Sequence, residues 1–221
     1  MSGLSSGGLP PAGPRLGAVE AALGSEFGLL HPRLRDVYGG VAGWHGVGVF
    51  SVVGASRALV RLALRPLVAD RALPGGYGRD VPFTVDVTQQ WDGERVLMRT
   101  ERAYSLDGRR QVSVSVTVAE VGGAGSSQAG WRLTDFLGDT PRLVTSAEAS
   151  VEDDALLLRS SGSLLQIGGR SVAVPGPLGP VATTRHSFDD VSQRHRIDVS
   201  VSHPVIGEVL TYRGWFSAES A

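Results

Sequence analysis

The chain has 221 residues, 42% of them hydrophobic and 19% charged, with a formal net charge of −1. That length suits one domain able to bury its own core. Cysteine is absent and all 21 basic residues are arginine, which excludes disulfides, thiolate catalysis, iron–sulfur clusters, Schiff-base lysines and a phosphate-loop lysine. A balanced charge argues against a nucleic-acid partner, which requires a basic footprint.

Residues 1–14 carry Gly, Ser and Pro with no basic or long apolar stretch, so they read as a disordered tail rather than a secretory leader. Residues 15–221 read as a single β-rich domain. A helix is predicted from Arg15 to Leu30, because Leu16, Val19, Leu23, Phe27 and Leu30 recur at steps of three and four, with Glu20 in the same stripe. His31-Pro32 should end it. The most apolar window, Gly39 to Ala55, carries His45 and falls short of the ~20 residues of a membrane helix. No membrane partner and a cytoplasmic location are therefore expected. A strand follows at Val47 to Val53. A second helix runs from Ser56, a good N-cap, to Asp70, interrupted by Pro66.

From Val81 the period changes to two. Phe83, Val85 and Val87 alternate with Thr84 and Asp86; Val112, Val114, Val116 and Val118 with Ser113, Ser115 and Thr117; Ile197, Val199 and Val201 with Asp198 and Ser200. Each run is a strand with one buried face, and the valines 112, 114 and 116 are expected to point inward. Further strands are predicted near 131–135, 142–150, 155–160, 163–174, 181–189 and 208–217. Asp92-Gly93, Asp107-Gly108 and Gly168-Gly169 read as tight hairpins, since a type I′ turn demands residues that accept positive φ. Val121 to Gly130 reads as a loop.

Ten or so antiparallel strands after two helices define an α+β, mostly β class. A sheet this long curls, and closing it removes its edges. The expected architecture is a strongly curved or closed antiparallel sheet, barrel-like, with a lipocalin-like cavity and two N-terminal helices; a helix-grip fold is the alternative.

The segments Leu30-His31-Pro32-Arg33-Leu34-Arg35 with Tyr38-Gly39, Val81-Pro82-Phe83, Trp131 to Gly138, Val174 to Pro180, and Asp198 to Gly207 with Tyr212-Arg213-Gly214 come in an order that resembles the bacterial DUF4166 family. The likeness spans roughly residues 15 to 217. It brings no established catalytic residues with it. Similar domains also occur fused behind a saccharopine-dehydrogenase-like reductase, which implies a possible role as an accessory subunit of a reductase.

The five histidines, His31, His45, His186, His195 and His203, show no metal-ligand spacing, and neither a metal nor another cofactor is expected. His31 and His203 precede prolines at element boundaries, where an imidazole satisfies free backbone groups. His195 lies between two arginines and reads as solvated. His186 shares a strand face with Ala182, Thr184 and Phe188, which makes it a core residue or a cavity acid–base group. Tyr212 shares a face with Leu210 and Phe216; Arg213 and Trp215 take the other. On Arg95 to Tyr104 the buried face holds Val96, Met98, Thr100, Arg102 and Tyr104. Arg99 and Glu101 then form a solvated pair, unless both line a wet cavity.

The candidate catalytic residues are thus His186, Tyr212 and Glu101, and the candidate ligand-binding residues Arg99, Met98, Phe188, Phe216 and Trp215. Arg57, Arg61 and Arg65 recur every four residues and form either a solvated face or a dock for an acidic carrier protein. Two functions fit. One is a cofactor-free cyclase or isomerase folding a polyketide- or terpenoid-like molecule by proximity. The other is a non-catalytic module that binds or carries a hydrophobic small molecule.

Overall fold

The structure, a computed structural model, describes residues 16–92, 94–121, 131–140, 142–167, 170–174 and 179–220. The tail at 1–14, the loop at 122–130 and the turns at Gly93 and Gly168-Gly169 lie outside them.

Eleven strands form one antiparallel sheet. They are β1 (Trp44–Gly54), β2 (Tyr77–Trp91), β3 (Arg95–Leu106), β4 (Arg109–Val121), β5 (Trp131–Leu137), β6 (Leu143–Glu152), β7 (Ala155–Ile167), β8 (Arg170–Val174), β9 (Val181–Asp189), β10 (Arg194–His203) and β11 (Gly207–Ser220). The order is β6-β5-β4-β3-β2-β1-β11-β10-β9-β7-β8, and β6 also pairs with β7. That last pairing closes ten strands into a barrel and leaves β8 as an extra strand on β7. Closure satisfies the edge groups that an open sheet would leave unpaired, and it excludes the helix-grip alternative.

Two positive-φ pairs hold hairpins in register. Asp107 and Gly108, at φ 53° and 70°, join β3 to β4 as the sequence predicts. Asp153 and Asp154, at 48° and 58°, join β6 to β7. This second turn carries no glycine and so lacks the local signal that marks the first.

The N-terminal segment plugs one end. Its helices are α1 (Ala18–Leu23) and α2 (Pro32–Tyr38), with a 3₁₀ turn over Gly24–Leu29 between them. A single helix to Leu30 is therefore not formed: Gly24 at φ 53° ends α1, and Pro32 opens α2 at the position where its missing N–H costs nothing. Ala18, Val19, Leu23, Leu30 and Leu34 are fully or nearly buried, each larger one contributing about 1.5–3 kcal/mol. Glu20, the polar member of the stripe, accepts from the N–H groups of Gly17 and Gly40. Ala18 N–H donates to Gln89 Oε1, which fixes α1 to the inner face of β2.

At the opposite end, α3 (Ala58–Ala63) and α4 (Arg65–Ala69) connect β1 to β2. They break at Leu64, one residue earlier than the start of the Pro66 constraint. Arg57, not Ser56, occupies the cap position, with no side-chain bond.

Inward and outward faces follow from the registers. Phe83, Val85 and Val87 point in and pair with Tyr104, Arg102 and Thr100. These pair in turn with Gln111, Ser113 and Ser115. The inner face of β4 is thus the polar one, and Val112, Val114 and Val116 face outward, contrary to the alternation rule. Val114 is buried all the same (1% exposed), at the point where its N–H donates to the Arg71 carbonyl of the segment before β2. The inversion has a physical cause: this wall of the barrel faces Arg102, Tyr104 and Asp135, polar groups that Ser113, Ser115 and Thr117 suit better than valines do.

From Trp44 the glycine-rich lead-in GWHGVGVF is part of β1. Gly46 and Gly48 face the lumen where aromatic rings crowd it. A Cβ on Gly48 would lie 2.0 Å from the Trp215 carbonyl oxygen and 2.6 Å from Phe216 Cβ. The space goes instead to Phe50 and Phe83, stacked at 3.8 Å between centroids.

Candidate functional site

At the plugged end, β9, β10 and α2 bring three polar rings together. His186 Nδ1 lies 2.7 Å from Tyr38 Oη, and its Nε2 lies 3.1 Å from His195 Nδ1. Tyr38 donating to His186, and His186 Nε2–H to His195, gives one consistent proton arrangement with both imidazoles neutral. Burial holds His186 down at about 3 and His195 at about 4. The same burial raises the Tyr38 phenol. Phe216 stacks on His195 at 5.0 Å, and Phe188 packs edge-on to it. His195 is only 5% exposed, so it is not the solvated turn residue its flanking arginines suggest. The alternation of Ile197, Val199 and Val201, carried back by one step, is the signal that places it inside.

Further along the lumen the walls are polar on one side. Arg102 projects from β3 beside Tyr104 on the same face, with Ser113 directly across on β4. Tyr104 and Ser113 are each 3% exposed; their hydroxyls neighbour one another and have no other hydrogen-bond partner among the described residues. Arg102 is half-buried and forms no ion pair among the described residues. By strand register Tyr104, Asp135 and Tyr212 share the inner face with Arg102, and its charge acts on all three and on Tyr38. Tyr104 is pushed up to about 12, and Tyr212 further, chiefly by burial. Asp135 accepts from the Thr117 hydroxyl at 2.5 Å; burial raises its carboxyl, while that bond and Arg102 oppose the rise.

The sequence candidates divide between the two faces. His186, Tyr212, Met98, Phe188 and Phe216 are on the inner face, with the single strand β10 between His186 and Tyr212. His186, however, is 1% exposed and bonded at both nitrogens, so it lacks a lone pair or proton to offer a substrate. Arg99 and Glu101 pair at 2.9 Å on the outer face, with side chains 46% and 41% exposed, and so do not reach the lumen. Trp215 is also outside, under the Arg194 guanidinium at 3.8 Å, beside a surface cleft of about 540 Å³. Arg99 and Glu101 are thus the solvated pair that the alternation of β3 indicates, and Trp215 lies on the face of β11 opposite Tyr212, so none of the three belongs to a site in the lumen.

Arg102, Tyr104, Asp135, Tyr38 and His195 were not among the sequence candidates. Arg102 was legible in principle, since a guanidinium on a face read as buried is an anomaly needing a partner. Tyr38 and Asp135 meet it only through closure of the barrel.

The arginine stripe is partly engaged. Arg61 donates to the carbonyls of Ala55 and Ser56, and Arg57 to that of Ile206. His31 Nδ1 accepts from Arg33 N–H, and His203 Nδ1 from Val205 N–H, both capping roles. His45 bonds Asp86 on the exterior. No group of three or more metal-ligating side chains occurs among the described residues, and no helix among them is long and apolar enough to cross a membrane.

Fold and site together define a ten-stranded antiparallel barrel with a helical plug at one end and an arginine-bearing lumen. The chain belongs to the DUF4166 family, described as a domain of unknown function, whose model matches residues 30–216. It is similar to the uncharacterized protein YndH of Bacillus subtilis (strain 168), at 26% identity over 200 residues, covering 88% of this chain and 93% of that protein.

Proposed function

We propose that this protein is a cytoplasmic binding barrel that takes a small, mainly apolar molecule into the lumen beyond the plug. One observation carries the reading. Leu137, Leu143, Leu165, Val199 and Val201 face inward near the open ends of their strands, yet stay only half-buried. About eight strands already give an interior that side chains just fill, and width grows with strand number. A ten-stranded barrel plugged at one end therefore keeps room at the other. Apolar walls with a few convergent polar groups are the usual make-up of a ligand pocket.

Native mass spectrometry of the purified chain, followed by solvent extraction, tests this. One equivalent of an apolar molecule, or saturable one-to-one binding of the neutral dye Nile red, supports the reading. Neither being found overturns it.

A second reading is catalysis in the same lumen, the cyclisation or isomerisation of a polyketide- or terpenoid-like compound in specialised metabolism. Asp135 favours it, because a carboxyl on the inner face of β5, raised by burial, is a group that can give or take a proton inside the lumen. Asp135→Asn should then abolish turnover of any identified substrate while leaving its binding intact.

A further inference from the structure

We propose that the lumen selects amphiphiles with a carboxylate head, and that Arg102 is the residue that anchors it. This rests on the reading of the lumen as a binding chamber and adds the chemical class of its occupant.

Arg102 is a permanent cation on the inner face of β3, half-buried and without an ion partner among the described residues. A desolvated charge left unpaired is costly, and its cost is relieved by an anion brought in from outside. Two further donors are aimed at the same place. Tyr104 is the next inward residue on β3, and Ser113 is the cross-strand partner of Arg102, at a spacing of about 5 Å. Both hydroxyls are buried, and apart from each other they have no partner among the described residues, although buried hydroxyls are normally satisfied. Even with one hydroxyl donating to the other, the guanidinium and one hydroxyl proton lack an acceptor, which fits an incoming group with several lone pairs. A planar carboxylate is the small group that a guanidinium fork grips at two points. Asp135, the acidic neighbour, feels the Arg102 charge but makes no ion pair with it among the described residues, and its Oδ1 accepts from Thr117 instead.

The tail has a matching path. From Arg102 to the end of β3 at Leu106 is four residues, roughly 13 Å, and that depth suits an aliphatic chain of about ten carbons. Leu137, Leu143, Leu165 and Val201 face inward toward the same open end.

The probes are decanoate and decanol, titrated calorimetrically into the full chain at pH 7. The expected result is that decanoate binds roughly tenfold or more tightly than decanol. Arg102→Met should remove that preference and leave decanol affinity unchanged, with thermal melting checking that the variant folds. Tyr104→Phe, which deletes one hydroxyl from an intact ring, should reduce the preference several-fold and serves if Arg102→Met does not fold. Equal affinity of the native chain for acid and alcohol overturns the head-group assignment and leaves the binding barrel standing. A preference that survives Arg102→Met also overturns it. Binding of neither probe nor of Nile red removes both readings.

Discussion

His186 and His195 sit on adjacent strands with their ring nitrogens 3.1 Å apart, both neutral and both closed off from water. A buried imidazole whose ionisation is held below its ordinary value must pick up a proton when the chain unfolds in acid. The unfolded state then binds more protons than the native one. Stability contributed by the pair is complete above about pH 6.5 and is lost as the pH falls toward their native values of about 4 and 3.

The first prediction is accordingly a pH-dependent loss of stability. The unfolding free energy from urea titrations should fall steadily as pH drops from 6.5 to 4, by roughly 1.4 kcal/mol per pH unit for each histidine at most. Asp135, whose carboxyl is raised, acts in the opposite sense, so the comparison is between native chain and variant. His186→Phe should flatten the curve in this range; an unchanged slope would show that the pair does not carry it.

Tyr38 is the second. Its hydroxyl links the plug helix α2 to β9 through His186. Tyr38→Phe keeps the ring but strands the imidazole nitrogen without a partner, at a cost of about 1–3 kcal/mol. Chemical denaturation measures it, and a loss below 0.5 kcal/mol would mean that water replaces the bond.

Gly48 supplies the third. Any Cβ there collides with backbone of β11 rather than with a movable side-chain end. Gly48→Ala should destabilise by about 1–3 kcal/mol through forced separation of β1 from β11. Equal stability in calorimetry would contradict the packing of this seam.

The fourth concerns the outer pair. Arg99→Gln and Glu101→Gln should each change stability by less than about 1 kcal/mol, because exposed ion pairs contribute little. Neither should alter Nile red binding. A change in binding would place these side chains in the lumen after all.

The β6–β7 turn gives the fifth. Asp154 at φ 58° holds a conformation that costs an ordinary residue about 1–2 kcal/mol. Asp154→Gly should raise the melting temperature measurably, and a decrease would show that its side chain makes a compensating contact.

Much of this fold was determined locally. Period-two alternation in 81–88 and 197–201, Asp107-Gly108, and the helix-breaking prolines fix elements, faces and turns through interactions within a few residues, and the structure keeps them. Where alternation was ambiguous in sign, locality failed. The run from Val112 to Val118 has one apolar and one polar face whichever way it is turned. Only its register against β3, and hence against Arg102, decides that the serines look inward. The site was less legible still. Tyr38 on α2, Arg102 on β3, Asp135 on β5 and Tyr212 on β11 are spread over about 170 residues, and no local spacing relates them. They converge because β6 pairs with β7 and the plug fills one end, both long-range events driven by edge closure and apolar burial.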